Sequence, residues 1–295
     1  MNVTIIGIGL IGGSLAIDMR RRGIAEHIFG VDNNPDNAIQ AKALGLVDEI
    51  VDLQTGVEKA DVVVLSVPVD AAVYLAPKVL DMIDSQVVFD TTSVKLPLIK
   101  TIASHPKRKN FVAVHPMAGT EYSGPQAAQA GLFDNKTLII CDAESSDKKS
   151  IAVVEDVFGK FNMRIIQMDA YSHDVHAAYV SHISHISSFA LALSVLYKEK
   201  DEKNIFDMAG GGFASTVRLA KSAASMWVPI FLQNKQNVLE VLDTYINFLY
   251  DFKLAIFNDD RQRLEILIKR ANKVRDILET SMEQNSMHKE KIKIS

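Results

Sequence analysis

Gly7-Ile8-Gly9-Leu10-Ile11-Gly12 follows the β-branched run Val3-Thr4-Ile5-Ile6 and leads into a helical stretch from Ser14 to Arg22. A strand, a glycine-rich turn and a helix in that order open a βαβ unit. The glycines let the backbone turn tightly and approach a diphosphate. Free N–H groups and the positive end of the helix then face the phosphates. The same glycines also suit an ordinary strand–helix turn, so a second feature has to decide. Asp32 closes the next strand, Ile28-Phe29-Gly30-Val31, and stands 20 residues after Gly12. A carboxylate there accepts hydrogen bonds from both hydroxyls of an adenosine ribose and repels a 2′-phosphate. No Arg or Lys stands in Asn33-Asn34-Pro35 to attract that phosphate. The stretch predicts NAD rather than NADP, bound by Gly7, Ile8, Gly9, Leu10, Ile11, Gly12 and Asp32.

Working outward, strands and helices go on alternating. Pro35 to Leu44 reads as a helix ended by Gly45, and Asp61 to Val67 as a strand apolar enough to be buried on both faces. Ala71 to Met82 is helical, Val87-Val88-Phe89 is a strand, and Pro97 to Ser104 is helical. Phe111 to Val114 and Thr137 to Cys141 are further strands. This pattern predicts an α/β fold with a doubly wound parallel sheet, of the Rossmann type. Ligands of such sheets sit beyond the carboxyl ends of the strands, so Ser66, Val67 and Pro68 are expected to line the cofactor. Asp70 and Ser93 end neighbouring strands and fit either that role or simple turn chemistry.

After Asp169 no convincing strand remains. Helical windows run over Tyr171–Lys198, Ala214–Ser225, Met226–Phe257 and Asp259 to about Ser286. The expected division is a nucleotide-binding domain at 1–166 and an all-α domain at 167–295. The polar tail Met287–Ser295 predicts a frayed end. No internal repeat or low-complexity segment interrupts the chain.

Composition narrows the class. The 295 residues are 48% hydrophobic and 23% charged, with a formal net charge of −4. That balance offers no basic stripe for nucleic acid and no signal for a membrane surface. The apolar start, Val3 to Ile17, has no preceding Lys or Arg, carries four patterned glycines, and is shorter than a membrane span of about 18 residues or more. The single cysteine, Cys141, cannot form an internal disulfide and reads as a small buried residue. A cytoplasmic protein is expected.

His115 follows the strand Phe111–Val114, where it could take a proton from an alcohol while hydride leaves the carbon. Ser93, at a neighbouring strand end, could bond the same hydroxyl. Three segments then carry a resemblance: Gly7–Gly12, Asp90-Thr91-Thr92-Ser93-Val94-Lys95 and His115-Pro116-Met117-Ala118-Gly119-Thr120-Glu121. The helical half extends it with Ser181-His182-Ile183-Ser184-His185, Gly210-Gly211-Gly212-Phe213, Arg218-Leu219-Ala220 and Met226-Trp227. In order and spacing, through about residue 260, the chain resembles the prephenate dehydrogenases.

The resemblance implies NAD-dependent oxidative decarboxylation of prephenate to 4-hydroxyphenylpyruvate, a step of tyrosine biosynthesis. It implies His115 and Ser93 as catalytic residues at the ring hydroxyl, and Arg218 on a substrate carboxylate, which a guanidinium fork suits. His185, His182, Thr120, Glu121 and Trp227 would complete the substrate pocket, although Trp227 fits a plain core position equally well. The resemblance also implies that the helical domain dimerises, so a homodimer is expected. Ala214-Ser215-Thr216 departs from relatives that carry polar or charged residues there. The amino-bearing alternative substrate, arogenate, would want a carboxylate neighbour. None lies between Ala209 and Trp227, which favours prephenate.

His173, His176, His182 and His185 invite a metal reading. No cysteine lies near, and the spacing of six between His176 and His182 breaks a shared helix face, so no metal is expected. His173 and His176 are read as exposed or capping. Two rivals remain. A β-hydroxyacid dehydrogenase would need a lysine early on the first interdomain helix, but none occurs before Lys198. A non-catalytic NAD-binding dimer would not need His115, Ser93 and Arg218 together.

Overall fold

Val62-Val63-Val64-Leu65 lies at the centre of the sheet, and all four side chains are buried. Val62 and Val64 enter one core cluster, while Val63 and Leu65 enter another. Successive side chains of a strand point to opposite faces, so a continuous apolar run needs cover on both. In the computed structural model, which describes residues 1–279, helices supply that cover.

The strands are β1 (Asn2–Ile6), β2 (His27–Val31), β3 (Glu49–Ile50), β4 (Val62–Leu65), β5 (Val87–Asp90), β6 (Phe111–Pro116), β7 (Thr137–Cys141) and β8 (Arg164–Met168). They form one sheet in the order β3-β2-β1-β4-β5-β6-β7-β8. The helices packed on it are α1 (Leu10–Arg21), α2 (Pro35–Ala43), α3 (Leu53–Lys59), α4 (Val69–Met82), α5 (Leu96–Ile102) and α6 (Lys148–Gly159). Leu15 and Met19 of α1 and Val154 and Phe158 of α6 cover one face. Ala72, Ala76 and Val79 of α4 and Leu98 and Ile102 of α5 cover the other. Each large side chain so buried contributes about 1.5–3 kcal/mol. The strand order reverses between β1 and β4, which opens a crevice at their carboxyl ends.

The sheet is mostly parallel, with one departure from the expected all-parallel arrangement: β7 runs antiparallel to β6. Between Pro116 and Thr137 the described chain holds only a short 3-10 turn, Pro125–Ala127, and no crossover helix. A parallel return needs such a crossover, and an antiparallel one does not. Strands β3 and β8 and helices α3 and α6 are also additions to the sequence reading. β8 is an edge strand whose five residues are only partly buried or exposed, so its apolar pattern is weak.

Beyond β8 the described chain is helical: α7 (Ala170–Ala177), α8 (Ile183–Glu199), α9 (Gly211–Thr216), α10 (Ala224–Gln233), α11 (Lys235–Phe257) and α12 (Arg261–Asn272). A π turn, Ala178–His182, joins α7 to α8 into one rod from Ala170 to Glu199. By length and composition that rod could cross a membrane. The helix expected over Met226–Phe257 is broken in two at Asn234. The buried Asn234 amide donates to the Asp174 carbonyl at 2.7 Å and lies 3.2 Å from His182 Nδ1. Asn is a favoured residue just ahead of a helix because its side chain competes for backbone groups.

The chain packs as two compact units, residues 1–239 and residue 240 onward. In the second, the Asp260 carboxylate caps α12 by accepting from the Arg263 amide at 2.8 Å, and Arg263 pairs with Asp251 at 2.8 Å. That unit exposes Ile246, Phe248, Leu249, Ile256 and Phe257. The tail Met287–Ser295 and the expected helix end near Ser286 lie outside the described residues.

Candidate active site

The glycine turn is built so tightly that side chains cannot enter it. Gly7 has φ +92°, and a Cβ there would stand 2.3 Å from the Ser66 carbonyl oxygen. A Cβ on Gly12 would stand 2.1 Å from the Gly7 oxygen. At Gly9, which precedes the first turn of α1, nothing lies within 4 Å of that position. Backbone is therefore open to a ligand at the helix N-terminus, where N–H groups and the helix dipole favour an anion. Gly7 and Gly9 share a cavity with Asp32, Ser66, Val67 and Pro68. Asp32 accepts from the Ile8 amide at 3.0 Å and from the Asn34 amide at 2.9 Å, which aims it along the crevice. The Ile8 side chain is buried in the core, so only its backbone serves the loop. This cradle and the lone carboxylate fit a dinucleotide without a 2′-phosphate.

A second cavity continues from Gly9, Leu10 and Ile11 past Ser66–Pro68 to Ser93, His115 and Thr120. A third shares Ser93, His115 and Thr120 and adds Glu121, His185, Arg218 and Trp227. Thirteen of the expected positions thus converge beyond the sheet's carboxyl edge, between the glycine turn and the Ala170–Glu199 rod.

His115 is the next-to-last residue of β6 and is buried. The residue before it is held by side chains at and just after the end of β5: the Val114 amide donates to Asp90 Oδ1 at 3.2 Å, and the Val114 carbonyl accepts from Lys95 Nζ. Lys95, fully buried, pairs with Asp90 and donates to Thr92 Oγ1 at 3.0 Å. Burial first, then the neighbouring His173, Lys95 and His182, hold His115 well below the usual histidine range, so it is neutral and able to act as a base.

Arg218 lies in a 3-10 turn, Arg218–Lys221, and donates to Glu121 Oε2 at 3.1 Å. The Glu121 carboxyl is lowered by its own backbone amide first and by Arg218 and Lys221 after that. The His185 ring stacks on Trp227 with centroids 3.5 Å apart. Trp227 does both things expected of it, packing with Val69, Val94 and Ile230 while walling the cavity.

Two expectations change. His182 stands behind Trp227 and not on the cavity wall, with ring centroids 6.0 Å apart and its Nδ1 turned to Asn234. Burial pushes it down to about 4. His173, expected to be exposed, is 1% exposed, and its Nε2 lies 2.8 Å from His115 Nδ1. The π turn, Ala178–His182, separates His173 from His185. It takes an extra residue into one turn and resets the helix register, so spacings read at 3.6 residues per turn mislead across it. His176 is exposed as expected. Among the described residues, no three His, Cys, Asp or Glu side chains are placed to hold a metal ion.

One family model, described as the nucleotide-binding domain of prephenate dehydrogenase, matches residues 15–167, and its dimerization-domain counterpart matches residues 169–270. The chain belongs to the prephenate dehydrogenase family. A prephenate dehydrogenase of Bacillus subtilis is 28% identical over 93% of this chain and 75% of its own length. A cyclohexadienyl dehydrogenase of Zymomonas mobilis is 33% identical over 95% of this chain and 96% of its own. The crystal structure of prephenate dehydrogenase from A. aeolicus, in complex with hydroxyphenyl propionate and NAD+, superposes with a TM-score of 0.82 at 32% identity, covering 94% of this chain and 98% of that one.

Proposed function

We propose that the chain is an NAD-dependent prephenate dehydrogenase that converts prephenate oxidatively to 4-hydroxyphenylpyruvate and carbon dioxide. The observation that carries this reading is the grouping of a neutral buried base, a hydroxyl and a guanidinium around cavities continuous with the glycine cradle. Bound at Gly7–Gly12 and Asp32, NAD supplies the acceptor for hydride from the hydroxyl-bearing ring carbon. His115 accepts the hydroxyl proton as that hydride leaves. Ser93 bonds the same oxygen. The opposite C–CO2 bond breaks, its electrons aromatise the ring, and His115 returns the proton to the phenolic oxygen. Arg218 holds a carboxylate at the far side of the pocket, and His185, Thr120, Glu121 and Trp227 shape its walls. Aromatisation drives the step, and the protein contributes orientation, charge pairing and proton transfer.

A second reading is the amino-bearing substrate, arogenate. The absence of acidic residues over 209–227 favours prephenate, yet Glu121 brings a carboxylate to the same cavity from elsewhere in the chain. It is paired with Arg218, so an ammonium would compete with a guanidinium for it. We further propose the domain division 1–166 and 167–295, a cytoplasmic homodimer formed by the helical half, and the exposed apolar side chains of the rod, Leu193, Leu196 and Tyr197, as part of its subunit contact.

Absorbance at 340 nm with NAD+ and either substrate tests the reading, alongside His115→Asn. Reduction with prephenate that slows at least ~100-fold in the variant is expected, the size of a lost positioned proton acceptor. Turnover of arogenate alone would move the substrate to the second reading. Inertness with both would remove the enzymatic one.

A further inference from the structure

Three side chains form an unbroken chain of contacts behind the cavity. His115 Nδ1 is 2.8 Å from His173 Nε2, and His173 Nδ1 is 2.8 Å from Asp174 Oδ1. Asp174 Oδ1 also accepts from the Lys95 amide at 2.8 Å, and its Oδ2 accepts from the Leu96 amide at 2.9 Å. His115, His173 and Asp174 are all buried. The chemistry of the donors orders the protons. A carboxylate only accepts, so His173 Nδ1 carries hydrogen. In the neutral ring the other nitrogen, Nε2, is then an acceptor. His115 Nδ1 must donate to it, which leaves the His115 Nε2 lone pair for the cavity. That nitrogen has no other partner among the described hydrogen bonds.

We propose that His173 and Asp174 are positioning residues that act through His115: they select its Nδ1–H tautomer, aim Nε2 at the substrate hydroxyl, and hold the positive charge that appears when Nε2 takes the proton. This deepens the dehydrogenase reading and rests on it for the substrate alone. The proton that enters at Nε2 leaves by the same nitrogen to the phenolic oxygen, so no net proton is stored. The His173–Asp174 pair is adjacent in sequence and sits one turn ahead of the π turn, while Asn234 holds the Asp174 carbonyl from the start of α11. The charged and titratable groups facing His115 are His173, Asp174 and His182 from the rod, Lys95 and Asp90 from the β5–α5 segment, and Glu121, His185 and Arg218 across the cavity. Of these, Asp174 alone reaches it through a continuous hydrogen-bonded ring.

Two measurements test the proposal. The first needs no substrate: a long-range 1H–15N spectrum of the histidine-labelled chain, with His115→Asn to assign the signal. Hydrogen on Nδ1 and a bare Nε2 at neutral pH are expected. Hydrogen on Nε2 overturns the proposal whatever the activity. The second is kinetic. In Asp174→Asn, kcat should fall on the order of 10²-fold, KM for prephenate should stay within about 3-fold, and NADH binding should be unchanged. The acid limb of kcat/KM should move to lower pH, because the imidazolium has lost its counter-charge. Asp174 also holds two backbone amides, so His173→Gln serves as a second variant. Its amide oxygen can still accept from His115, but the link to the carboxylate is gone. It should lose about 10-fold in kcat, with the same direction of shift. A folded variant of either kind with wild-type kcat and an unmoved acid limb overturns the proposal. A wild-type chain inert with both substrates would overturn the dehydrogenase reading instead, and the spectrum would still decide the tautomer.

Discussion

Arg218 is half exposed and donates to Glu121 through Nη1 alone, which leaves the rest of its fork for the substrate carboxylate proposed above. A planar fork can serve two carboxylates at once, one on each edge, where an ammonium cannot. Arg218→Ala should therefore raise KM for prephenate about 10–100-fold, the equivalent of one lost charge-assisted bond, with a smaller change in kcat. Arg218→Lys should recover only part of the loss. Steady-state kinetics on the two variants checks this, and an unchanged KM would remove Arg218 from substrate binding. His115 carries a pH prediction. Its proton affinity is lowered by burial first and by His173, Lys95 and His182 after that, so it stays unprotonated on acidification past the usual histidine range. The acid limb of kcat/KM should lie below pH 6.5, the ordinary histidine value. At this scale the site was partly legible. His115, Ser93 and Arg218 stand in motifs that can be seen in a linear chain. His173, Asp174 and the buried Lys95 do not declare themselves, because their importance lies in contacts with residues 58, 79 and 5 positions away.

Among the elements, the strand–turn–helix at β1 and α1 is the most constrained. Gly12 packs directly beneath Gly7, and the two leave no room for a methyl group. Gly12→Ala should displace the turn, weaken NADH binding at least ~10-fold by fluorescence titration, and leave the helical content by circular dichroism intact. Binding equal to wild type would show that the turn has slack that the 2.1 Å approach denies. The strongly periodic or continuous elements were read correctly in kind: β1, β2, β4, β5, β6 and β7 and helices α1, α2, α4 and α5. The misses share a cause. β8 lies at a sheet edge and has no wholly buried residue. The direction of β7 is set by the absence of a crossover helix and not by its own alternation. Asn234 breaks a helix whose periodicity continues through it, because its side chain finds partners 60 and 52 residues away.

For the whole molecule, acid should be more damaging to stability than to the base. The unfolded chain binds protons on His182 near pH 6.5, while burial holds the folded group down to about 4. His115 and His185 are displaced in the same direction, by burial first in each case. Between pH 6.5 and about 4 the unfolded state therefore binds more protons, and stability falls as pH falls. The unfolding midpoint should drop by at least ~5 °C between pH 6.5 and 4.5. A midpoint that is flat over that range would contradict the burial of these rings. The exposed apolar side chains of α11, among them Ile246, Leu249 and Phe257, point to association. Sedimentation should give about twice the chain mass of 32.6 kDa, and Leu249→Asp should shift the protein toward monomer. A monomer at micromolar concentration would set aside the homodimer.

What the linear chain determined is whatever local chemistry can encode. Glycine spacing fixes a backbone path, an apolar run demands two covered faces, and a carboxylate 20 residues past the turn selects one cofactor over another. Those features yielded the fold class and the cofactor, and the family came from the resemblance carried by the motifs around Ser93, His115, His185 and Arg218. Tertiary structure alone decided the direction of β7, the break at Asn234, the retreat of His182 behind Trp227 and the approach of His173 to His115. Each of these is set by contacts between residues far apart in the chain. Sequence periodicity describes the face of a regular element and carries no information about register across an irregular one.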